Sequence, residues 1–385
     1  MSKRLPLRVF VCLLAAVSAG APPTVRILPR PVAPAGGEPL AAVTATLAAV
    51  GDTLVHLPEV EAARDASGRS FDFRPFFAAV RPLLARAGIA TAVLETNLGG
   101  AAGGYTGYPR FNSPDEIAAA LKWAGIDLVF TAHNHMLDRG IEGIFDTLAC
   151  LDRLGLAHVG SAATPDPAAR MVLRDVNGIR FAFLAYTAST NGIPVPKEYA
   201  WAVNLFDPVL VNADVARARS AGAEIVVCAL HHGTEYLRHP DAAQRDMVTL
   251  LLRAGVDIVL GSHPHAIQPV EMRRLPAGGG EVRRAFVAYS LGNFVSNQRR
   301  RYTDCGLMAV VTAVKEPGRR ARVADASWRP LWVHRYRAGG RLRYRVLPVY
   351  APEAAFYAGD PLLKREDRRR MDEVWEETAA LLAGD

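Results

Sequence analysis

Six short, mostly apolar runs end abruptly in side chains that can bind a metal ion, and this repeat constrains the fold more than any other feature of the sequence. The runs and their polar ends are Val43–Val50 into Gly51-Asp52, Thr91–Leu94 into Glu95, Ile126–Ala132 into His133-Asn134-His135, Ile225–Leu230 into His231-His232-Gly233, Val256–Leu260 into Gly261-Ser262-His263-Pro264-His265, and Ala285–Ser290 into Leu291-Gly292-Asn293. Such runs are typical of buried strands in a sheet covered on both faces. Because open α/β sheets collect ligands outside the carboxyl ends of their strands, we expect these ends to form one site.

Helical segments separate the runs. They are predicted at Arg74–Ala87, Ser113–Ala124, Ile141–Leu154, Ala213–Ala221 and Asp241–Ala254. Pro82 should kink or split the first of them. The alternation of strand and helix indicates an α/β fold with crossover connections. Ala326–Tyr350 is predicted to form a β-hairpin around Gly339-Gly340, and Leu362–Leu382 a closing helix with a charged face.

The N-terminus has the three-part pattern of a secretory signal peptide. Lys3, Arg4 and Arg8 precede the apolar run Val9–Val17, and Val17-Ser18-Ala19 offers a small-residue cleavage site. The run is short for a bilayer span, so cleavage is favoured, although an uncleaved anchor is the competing interpretation. We therefore predict a signal peptide over residues 1–19, a Pro/Gly-rich linker over 20–42, the main domain over 43–350 and a charged C-terminal helix over 351–385. We therefore expect the protein to be exported to the periplasm, the extracellular space or the membrane surface.

Composition narrows the class of protein. With half of its 385 residues apolar and 22% charged, the chain can bury a large core, which excludes a disordered or a polytopic membrane protein. The formal net charge is +7, and the basic residues outside the predicted signal cluster late in the chain, at Arg299–Arg301, Arg319–Arg322, Arg335–Arg345 and Lys364–Arg370. These clusters are either a solvated surface or an attraction for an anionic polymer or membrane. Since no nucleic-acid-binding module surrounds them, nucleic acid is rejected as a partner.

The cysteines do not form a disulfide pattern. Cys150, Cys228 and Cys305 are widely spaced, and Cys12 lies in the predicted signal. We therefore expect mostly core thiols.

The polar ends supply a mixed set of metal ligands. Carboxylates come from Asp52 and Glu95, and Asn134 offers a carbonyl oxygen. Imidazole nitrogens come from His231, His263 and His265. Oxygen and imidazole together suit Mn, Fe or Zn better than Ca or Mg. The His-Pro-His spacing can serve two neighbouring ions bridged by an acidic residue, which predicts two divalent metal ions as cofactors.

Seven sequence segments resemble the poly-gamma-glutamate capsule biosynthesis protein family, CapA, over roughly Val43 to Val349. They are Gly51-Asp52, Leu94-Glu95-Thr96, Gly104-Tyr105-Thr106-Gly107-Tyr108-Pro109-Arg110-Phe111-Asn112, Asn134-His135-Met136-Leu137-Asp138-Arg139-Gly140, His231-His232-Gly233-Thr234-Glu235-Tyr236, Gly261-Ser262-His263-Pro264-His265-Ala266-Ile267-Gln268-Pro269 and Tyr289-Ser290-Leu291-Gly292-Asn293-Phe294. The family is similar to calcineurin-like metallophosphoesterases. The resemblance therefore implies two packed mixed β-sheets flanked by helices in four layers, with a dinuclear metal site.

The resemblance also implies roles for single residues. The metal ligands would be Asp52, Glu95 as the bridge, Asn134, His231, and His263 and His265 on different ions. His135 would protonate a leaving group. Leu54 departs from the pattern, because the phosphoesterases have a histidine at this position. The nearest histidine, His56, would either bind the metal or line the mouth of the site.

Five further expectations concern residues around the ligands. His232, where relatives usually have Trp, would contact a ligand or serve as a spare ligand. Asp138 would either cap the following helix or support the site, and Glu235 would orient His231 by a hydrogen bond. His133 should point away from the metals, because neighbours in an extended segment face opposite sides. The Gly/Tyr-rich loop Gly99–Asn112 would form a substrate wall.

Two classes of function are consistent with these features. One is an exported metal-dependent hydrolase that cleaves a phosphoester or amide bond in a capsule or cell-envelope polymer. The other is a non-catalytic, metal-containing component of capsule polymer synthesis or export. The expected partners are an anionic polymer or a small-molecule substrate, and membrane-bound capsule synthesis machinery.

Overall fold

Two mixed β-sheets form the centre of the computed structural model, which describes residues 41–278, 281–350, 357 and 359–383. The first sheet has the order β14-β13-β12-β1-β2-β3-β4, with β11 beside the end of β1. Its strands are β1 Val43–Leu54, β2 Ile89–Leu94, β3 Leu128–Phe130, β4 Ala157–Val159, β11 Asn293–Ser296, β12 Cys305–Lys315, β13 Arg322–Ala338 and β14 Arg341–Pro348. The predicted signal peptide and nearly all of the predicted linker lie outside the described residues.

The second sheet has the order β5-β6-β7-β8-β10-β9. Its strands are β5 Val172–Val176, β6 Ile179–Thr187, β7 Ile225–His231, β8 Ile258–Ser262, β9 Val270–Gly278 and β10 Glu281–Ala288. In the first sheet, neighbouring strands from β1 to β4 pair in parallel, and β11 pairs in parallel with β1. In the second sheet, β6, β7, β8 and β10 pair in parallel. The remaining ladders are antiparallel.

Helices cover the outer face of each sheet. The helices are α1 Leu57–Ala63, α2 Arg74–Phe77, α3 Arg81–Leu84, α4 Glu116–Ala124, α5 Gly140–Leu154, α6 Pro208–Ser220, α7 Ala242–Ala254 and α8 Arg365–Ala383, with 3₁₀ turns at Pro167–Arg170 and Lys197–Tyr199. None of the helices in the part of the chain described here has the length and apolar character needed to cross a bilayer.

The apolar faces account for a four-layer arrangement. Leu47 and Ala49 of β1 point into a core shared with Phe181 and Phe183 of β6, which lies between the sheets. The alternate residue Ala48 packs outward with the helical residues of α2 and α4. A third apolar cluster joins α6 and α7 to the outer face of the second sheet. The fold class implied by the resemblance is therefore confirmed. The sequences of the strands are continuous apolar runs because both faces of each sheet are covered.

The predicted split at Pro82 is observed, and the starts of two other helices need correction. The predicted helix Arg74–Ala87 consists of the two single turns α2 and α3, each with a proline near its start, so the chain splits before Pro82. Helix α4 begins at Glu116, because Ser113 does not cap it and instead contacts the hydroxyl of Thr96 at 2.8 Å. Helix α6 begins at Pro208, earlier than predicted, because Asp207 accepts hydrogen bonds from the first turn.

Other predictions hold. The hairpin of β13 and β14 turns at Gly339-Gly340, and its strands pair from Ala338↔Arg341 outward. Helix α8 follows the hairpin and packs on β13. Cys150, Cys228 and Cys305 are buried and free, as expected of core thiols.

Candidate metal centre

The six predicted metal ligands converge at the edge where the carboxyl ends of parallel strands from both sheets meet. Asp52 lies within β1, and His231 is the last residue of β7. The other four lie within four residues of the end of a strand: Glu95 after β2, Asn134 after β3, and His263 and His265 after β8. Strand direction alone brings these groups to one edge.

Glu95 stands at the centre of the cluster. Its Oε1 lies 3.4 Å from His231 Nε2, and its Oε2 lies 3.8 Å from His265 Nδ1. Two sets of donor atoms each fall within 4.8 Å of one another: Glu95 with His231 and His263, and Asp52 with Glu95 and His265. The two sets share only Glu95, so His263 and His265 fall in different sets.

Asn134 adjoins the first of these sets, and Asp52 links the second set to the backbone of His263. Asn134 Oδ1 lies 2.9 Å from His231 Nε2. Asp52 Oδ2 lies 3.3 Å from His265 Nδ1 and accepts a hydrogen bond from the backbone N–H of His263 at 3.2 Å. All six predicted ligands are therefore in one contiguous cluster.

Several ligand atoms in this cluster have no partner within the protein. Asp52 Oδ1, both carboxylate oxygens of Glu95, and His263 Nδ1 are buried without a hydrogen bond among the described residues. A buried polar atom without a partner is costly, and charged atoms cost more. Divalent cations would satisfy these atoms, and the mixture of carboxylate oxygen and imidazole nitrogen fits Mn, Fe or Zn.

Burial and mutual charge shift the pKa values of the carboxylates in opposite directions. Burial, with the neighbouring negative charge of Asp52, raises the pKa of Glu95 to about 8. For Asp52 burial acts upward as well, but the hydrogen bond to His265 and the charges of His231 and His265 leave its pKa below the ordinary value. Without metal, Glu95 therefore carries a proton while Asp52 is ionised.

The pKa values of the three histidine ligands also shift in opposite directions. Burial lowers the pKa of His231 and His263 to about 3, so both are neutral and available as ligands at physiological pH. For His265 burial also acts downward, but Glu95 and Asp52 outweigh it and raise the pKa to about 9. His265 thus supplies the positive charge that compensates ionised Asp52 when no metal is bound.

Backbone geometry holds the cluster together. A Cβ on Gly51 would lie 1.8 Å from the carbonyl oxygen of Gly292, so only glycine lets β1 approach this segment. The N–H of Asp52 donates to that carbonyl at 2.9 Å. His263 and His265 have φ angles of 97° and 56°, which non-glycine residues rarely adopt and which cost about 1–3 kcal/mol each. Such outliers concentrate at functional sites, and the turn at Pro264 aims both rings inward.

Hydrogen bonds from neighbouring side chains orient the ligands. Ser262 Oγ lies 2.8 Å from His231 Nδ1, and Asn293 Oδ1 lies 3.1 Å from His265 Nδ1. Asn191, from the segment after β6, accepts a hydrogen bond from Asn134 Nδ2 at 3.0 Å. The sequence motifs did not assign these orienting roles to Ser262, Asn191 or Asn293. Ser262 and Asn293 lie in strand-end segments, whereas no local pattern marks Asn191.

His135 lies beside the cluster and contacts none of its carboxylates by a hydrogen bond. Its Nδ1 is 2.8 Å from Asp138 Oδ2, and its ring meets Phe111 edge to face at 4.7 Å. Asp138 also accepts a hydrogen bond from the N–H of Phe111 at 2.7 Å. The loop Gly99–Asn112 therefore reaches the site through Phe111, and Asp138 fixes both the loop and the imidazole.

The remaining predicted histidines lie outside the two donor sets. His56 precedes α1, with Nδ1 3.2 Å from the Leu54 carbonyl and its ring 5.2 Å from Phe111. His133 is buried, with its ring edge-on to His231 at 6.1 Å. His232 is half-buried, and its N–H donates to the Ser262 carbonyl.

One expectation about these neighbours is wrong. Glu235 does not orient His231, because it is exposed and Ser262 occupies the Nδ1 side of that ring.

Comparison with known proteins gives consistent matches. Residues 46–298 match the family model described as bacterial capsule synthesis protein PGA_cap. The chain is 30% identical over 193 residues to the capsule biosynthesis protein CapA of Bacillus anthracis, covering 49% of this chain and 44% of that protein. It is 32% identical over 184 residues to the PGA biosynthesis protein CapA of Bacillus subtilis, covering 48% of this chain and 46% of that protein. The chain thus spans less than half the length of these curated relatives.

Among solved structures, the chain is similar to the calcineurin-like phosphoesterase YfkN from Bacillus subtilis, with a TM-score of 0.43 and 12% identity over 88% of this chain and 99% of that one. It is also similar to the Haemophilus influenzae NAD nucleotidase, with a TM-score of 0.47 and 13% identity over 88% of this chain and 63% of that one.

Proposed function

Because the chain belongs to the PGA_cap family of bacterial capsule synthesis proteins, we propose that it is an exported metal-dependent hydrolase that cleaves a phosphoester or amide bond in a capsule or cell-envelope polymer. The observation that carries the proposal is the buried carboxylate of Glu95, which belongs to two sets of donor atoms and has no hydrogen-bond partner among the residues that the structure describes. A shared acidic residue between two sets is the arrangement that a two-ion site needs.

The residues divide into two metal positions. Glu95, His231 and His263, with Asn134 adjoining, would hold one ion, and Asp52, Glu95 and His265 would hold the other. The ions would activate water and stabilise negative charge that develops during hydrolysis. Ser262 and Asn293 hold the imidazoles of His231 and His265 in place, which such ligands usually require.

His135 is the proposed proton donor. Asp138 holds its Nδ1, so Nε2, which lies 3.5 Å from the side-chain nitrogen of Asn191, is the nitrogen that would exchange a proton with a substrate. His135 is only 6% exposed and packs on Phe111, which limits the access of bulk water to the ring. A histidine held this way can protonate a leaving group as the scissile bond breaks.

The mouth of the site favours an anionic substrate. Tyr236 lies 6.2 Å from the His265 ring, and the guanidinium of Arg300 lies 4.4 Å from the centre of the Tyr236 ring. Arg300 is exposed and would attract an anionic chain toward the cluster. The matched relatives are described as proteins of capsule or PGA biosynthesis, which supports a capsule polymer or its precursor as the substrate class.

A second candidate function is a non-catalytic, metal-containing component of capsule polymer synthesis or export. The buried side chain of Leu54 favours it, because the resemblance places a histidine ligand at that position in active phosphoesterases. One metal ion would then have fewer ligands. The metal centre would bind the carboxylates of the polymer or stabilise the fold.

Metal content and turnover separate the two candidates. The full chain and its Asp52→Asn variant would be purified, assayed for bound metal by mass spectrometry, and tested on a chromogenic phosphodiester and on a glutamate oligomer. Metal with turnover that Asp52→Asn abolishes supports the hydrolase. Metal without turnover of either substrate supports the non-catalytic component, and a chain that binds no Mn, Fe or Zn would contradict both.

Export is part of the proposal and has its own test. Lys3, Arg4 and Arg8 before the apolar run Val9–Val17 support it. Mass spectrometry of the protein from cell fractions should find a new N-terminus near Ala19 outside the cytoplasm. Retention of Met1 or Ser2 in the envelope would indicate an anchor, and a cytoplasmic location would contradict export.

A further inference from the structure

A large, arginine-rich cavity opens at the end of the second sheet opposite to the metal centre. Its volume is about 1220 Å³, and it is bordered by Glu224 and Asp257, the residues directly before β7 and β8. The ends of α7 and β12, the start of β13, the start of β10 and the part of β9 paired with it complete its wall. The metal ligand His231 is at the other end of β7, so the strand's seven residues separate the two sites by about 20 Å.

The wall of this cavity carries an excess of positive charge. Among the described residues that line it, eight are arginines and four are carboxylates. Asp257 is shared by Arg219 at 2.6 Å and Arg283 at 3.2 Å. Glu224 pairs with Lys315 at 2.9 Å. Three of the four lining carboxylates are thus already paired with cations, because Glu316 is also held by Arg322 at 3.1 Å.

Three lining arginines have no carboxylate partner in the described part of the chain. Arg320 donates only to the carbonyls of Ala223 and Glu224, at 3.3 and 3.2 Å. Arg284 donates only to a backbone carbonyl, that of Ala324, and Arg253 is exposed with no hydrogen bond or ion pair within the described residues. These guanidinium groups are free to bind an anion.

The guanidinium groups are also close enough to repel one another. Burial lowers the pKa of Arg320, and the charges of Arg219 and Arg283 lower it further. Burial lowers the pKa of Arg283 as well, with Arg219 contributing in the same direction. Like charges gathered in one recess are relieved when an anion enters it.

We propose that this cavity binds a segment of a polycarboxylate chain, separately from the metal centre. Guanidinium groups bind carboxylates through paired N–H donors. The volume exceeds the 300–1,000 Å³ typical of small-molecule pockets, which suits several units of a chain with one carboxylate per unit. A planar membrane surface cannot enter a recess at the end of a sheet, whereas an extended chain can. The choice of a polycarboxylate rests on the proposed capsule function, while the preference for anions rests on the cavity alone.

The test is a binding titration that excludes the metal centre. Fluorescein-labelled poly-γ-glutamate would be titrated with the full chain in a chelator, at low and at moderate salt, and followed by fluorescence anisotropy. The double variant Arg253→Glu/Arg320→Glu should weaken binding at least tenfold. The matched control is Arg69→Glu/Arg86→Glu, which changes the net charge equally at exposed positions outside the cavity lining and should change binding less than twofold. Thermal unfolding of both variants checks that they fold.

Each outcome decides the proposal. Binding that only the cavity variant loses, and that Asp52→Asn retains, supports it. No binding by the wild type, equal losses in both double variants, or loss on Asp52→Asn would overturn it. If the cavity variant instead loses binding to vesicles containing phosphatidylglycerol while the polymer does not bind, the ligand is a lipid surface and the proposal is wrong. The hydrolysis assay uses small substrates, so failure of either proposal is distinguishable from failure of the other.

Discussion

Asp52 and Asn293 are paired residues on the adjacent parallel strands β1 and β11, and their side chains meet at the same imidazole. His265 Nδ1 lies 3.3 Å from Asp52 Oδ2 and 3.1 Å from Asn293 Oδ1. Asn293 is itself fixed, because its Nδ2 donates to the Thr303 carbonyl at 2.8 Å and to Gln298 at 3.0 Å. Asn293, which lies in β11, therefore positions two metal ligands relative to each other. One is Asp52, near the beginning of the domain, and the other is His265, which follows β8.

Asn293→Ala should lower metal affinity about 10–100-fold, the usual effect of removing a hydrogen-bond partner from a metal-binding histidine. The measurement is calorimetric titration with Mn²⁺ or Zn²⁺. Gln298→Ala is the control, because it removes one hydrogen bond of Asn293 and leaves the contact with His265. Equal losses in the two variants would mean that Asn293 acts on local folding and not on the ligand.

The His135→Ala variant should keep the metals, but its turnover should fall about 10²–10⁴-fold, because the substitution removes a proton donor and no ligand. His263→Ala should lower metal occupancy together with turnover, since His263 is in one of the two donor sets. Metal content and rate would be measured for both on the substrate that the wild type cleaves. If His135→Ala loses metal as readily as His263→Ala, His135 is a ligand or a support and its proposed role is wrong.

The metal-free protein should lose stability as the pH rises from about 6 to 8.5. The Glu95 carboxyl keeps its proton up to a pKa of about 8 when folded, against 4.5 when exposed, so unfolding releases a proton in this range and higher pH favours the unfolded state. His265, with its pKa raised to about 9, acts in the same direction above its ordinary value of 6.5. Thermal unfolding in a chelator at several pH values measures the effect.

Glu95→Gln should flatten this pH dependence, because it removes the buried carboxyl whose pKa is raised to about 8. Glu61→Gln is the control, since Glu61 is an exposed carboxylate paired with Arg64 on the surface. A Glu95→Gln protein that loses stability with pH as steeply as the wild type would show that the shift lies in another group.

Gly51→Ala should destabilise the fold by about 1–3 kcal/mol or more, as overpacking of a tight contact does. The added Cβ would meet the backbone oxygen of Gly292 at 1.8 Å, and backbone cannot move aside as a flexible side chain can. Urea denaturation gives the free energy of unfolding. Gly359→Ala is the control, because no atom lies within 4 Å of its added Cβ; a similar loss in both variants would contradict the packing argument.

The sequence by itself determined the strands and the chemistry at their ends. Runs such as Ile225–Leu230 are apolar on both faces, which is a local property, and parallel strands place their carboxyl ends at one edge whatever the detailed packing. For that reason the six ligands, from Asp52 to His265, could be named before their distances were known. The split before Pro82 and the hairpin turn at Gly339-Gly340 were also predictable, because proline and glycine act on the backbone locally.

Only the tertiary structure decided which groups surround these ligands. Asn191 accepts a hydrogen bond from Asn134. His231 is held by Ser262 and not by Glu235. Phe111 packs on His135, and all of these contacts join segments that are distant in the sequence. The arginine-rich cavity likewise combines residues from Arg219 to Arg322, which share no motif. Periodicity and spacing record the conformation of neighbours in the chain, whereas these contacts depend on how two sheets and their helices pack, and side-chain packing across layers has no local signature.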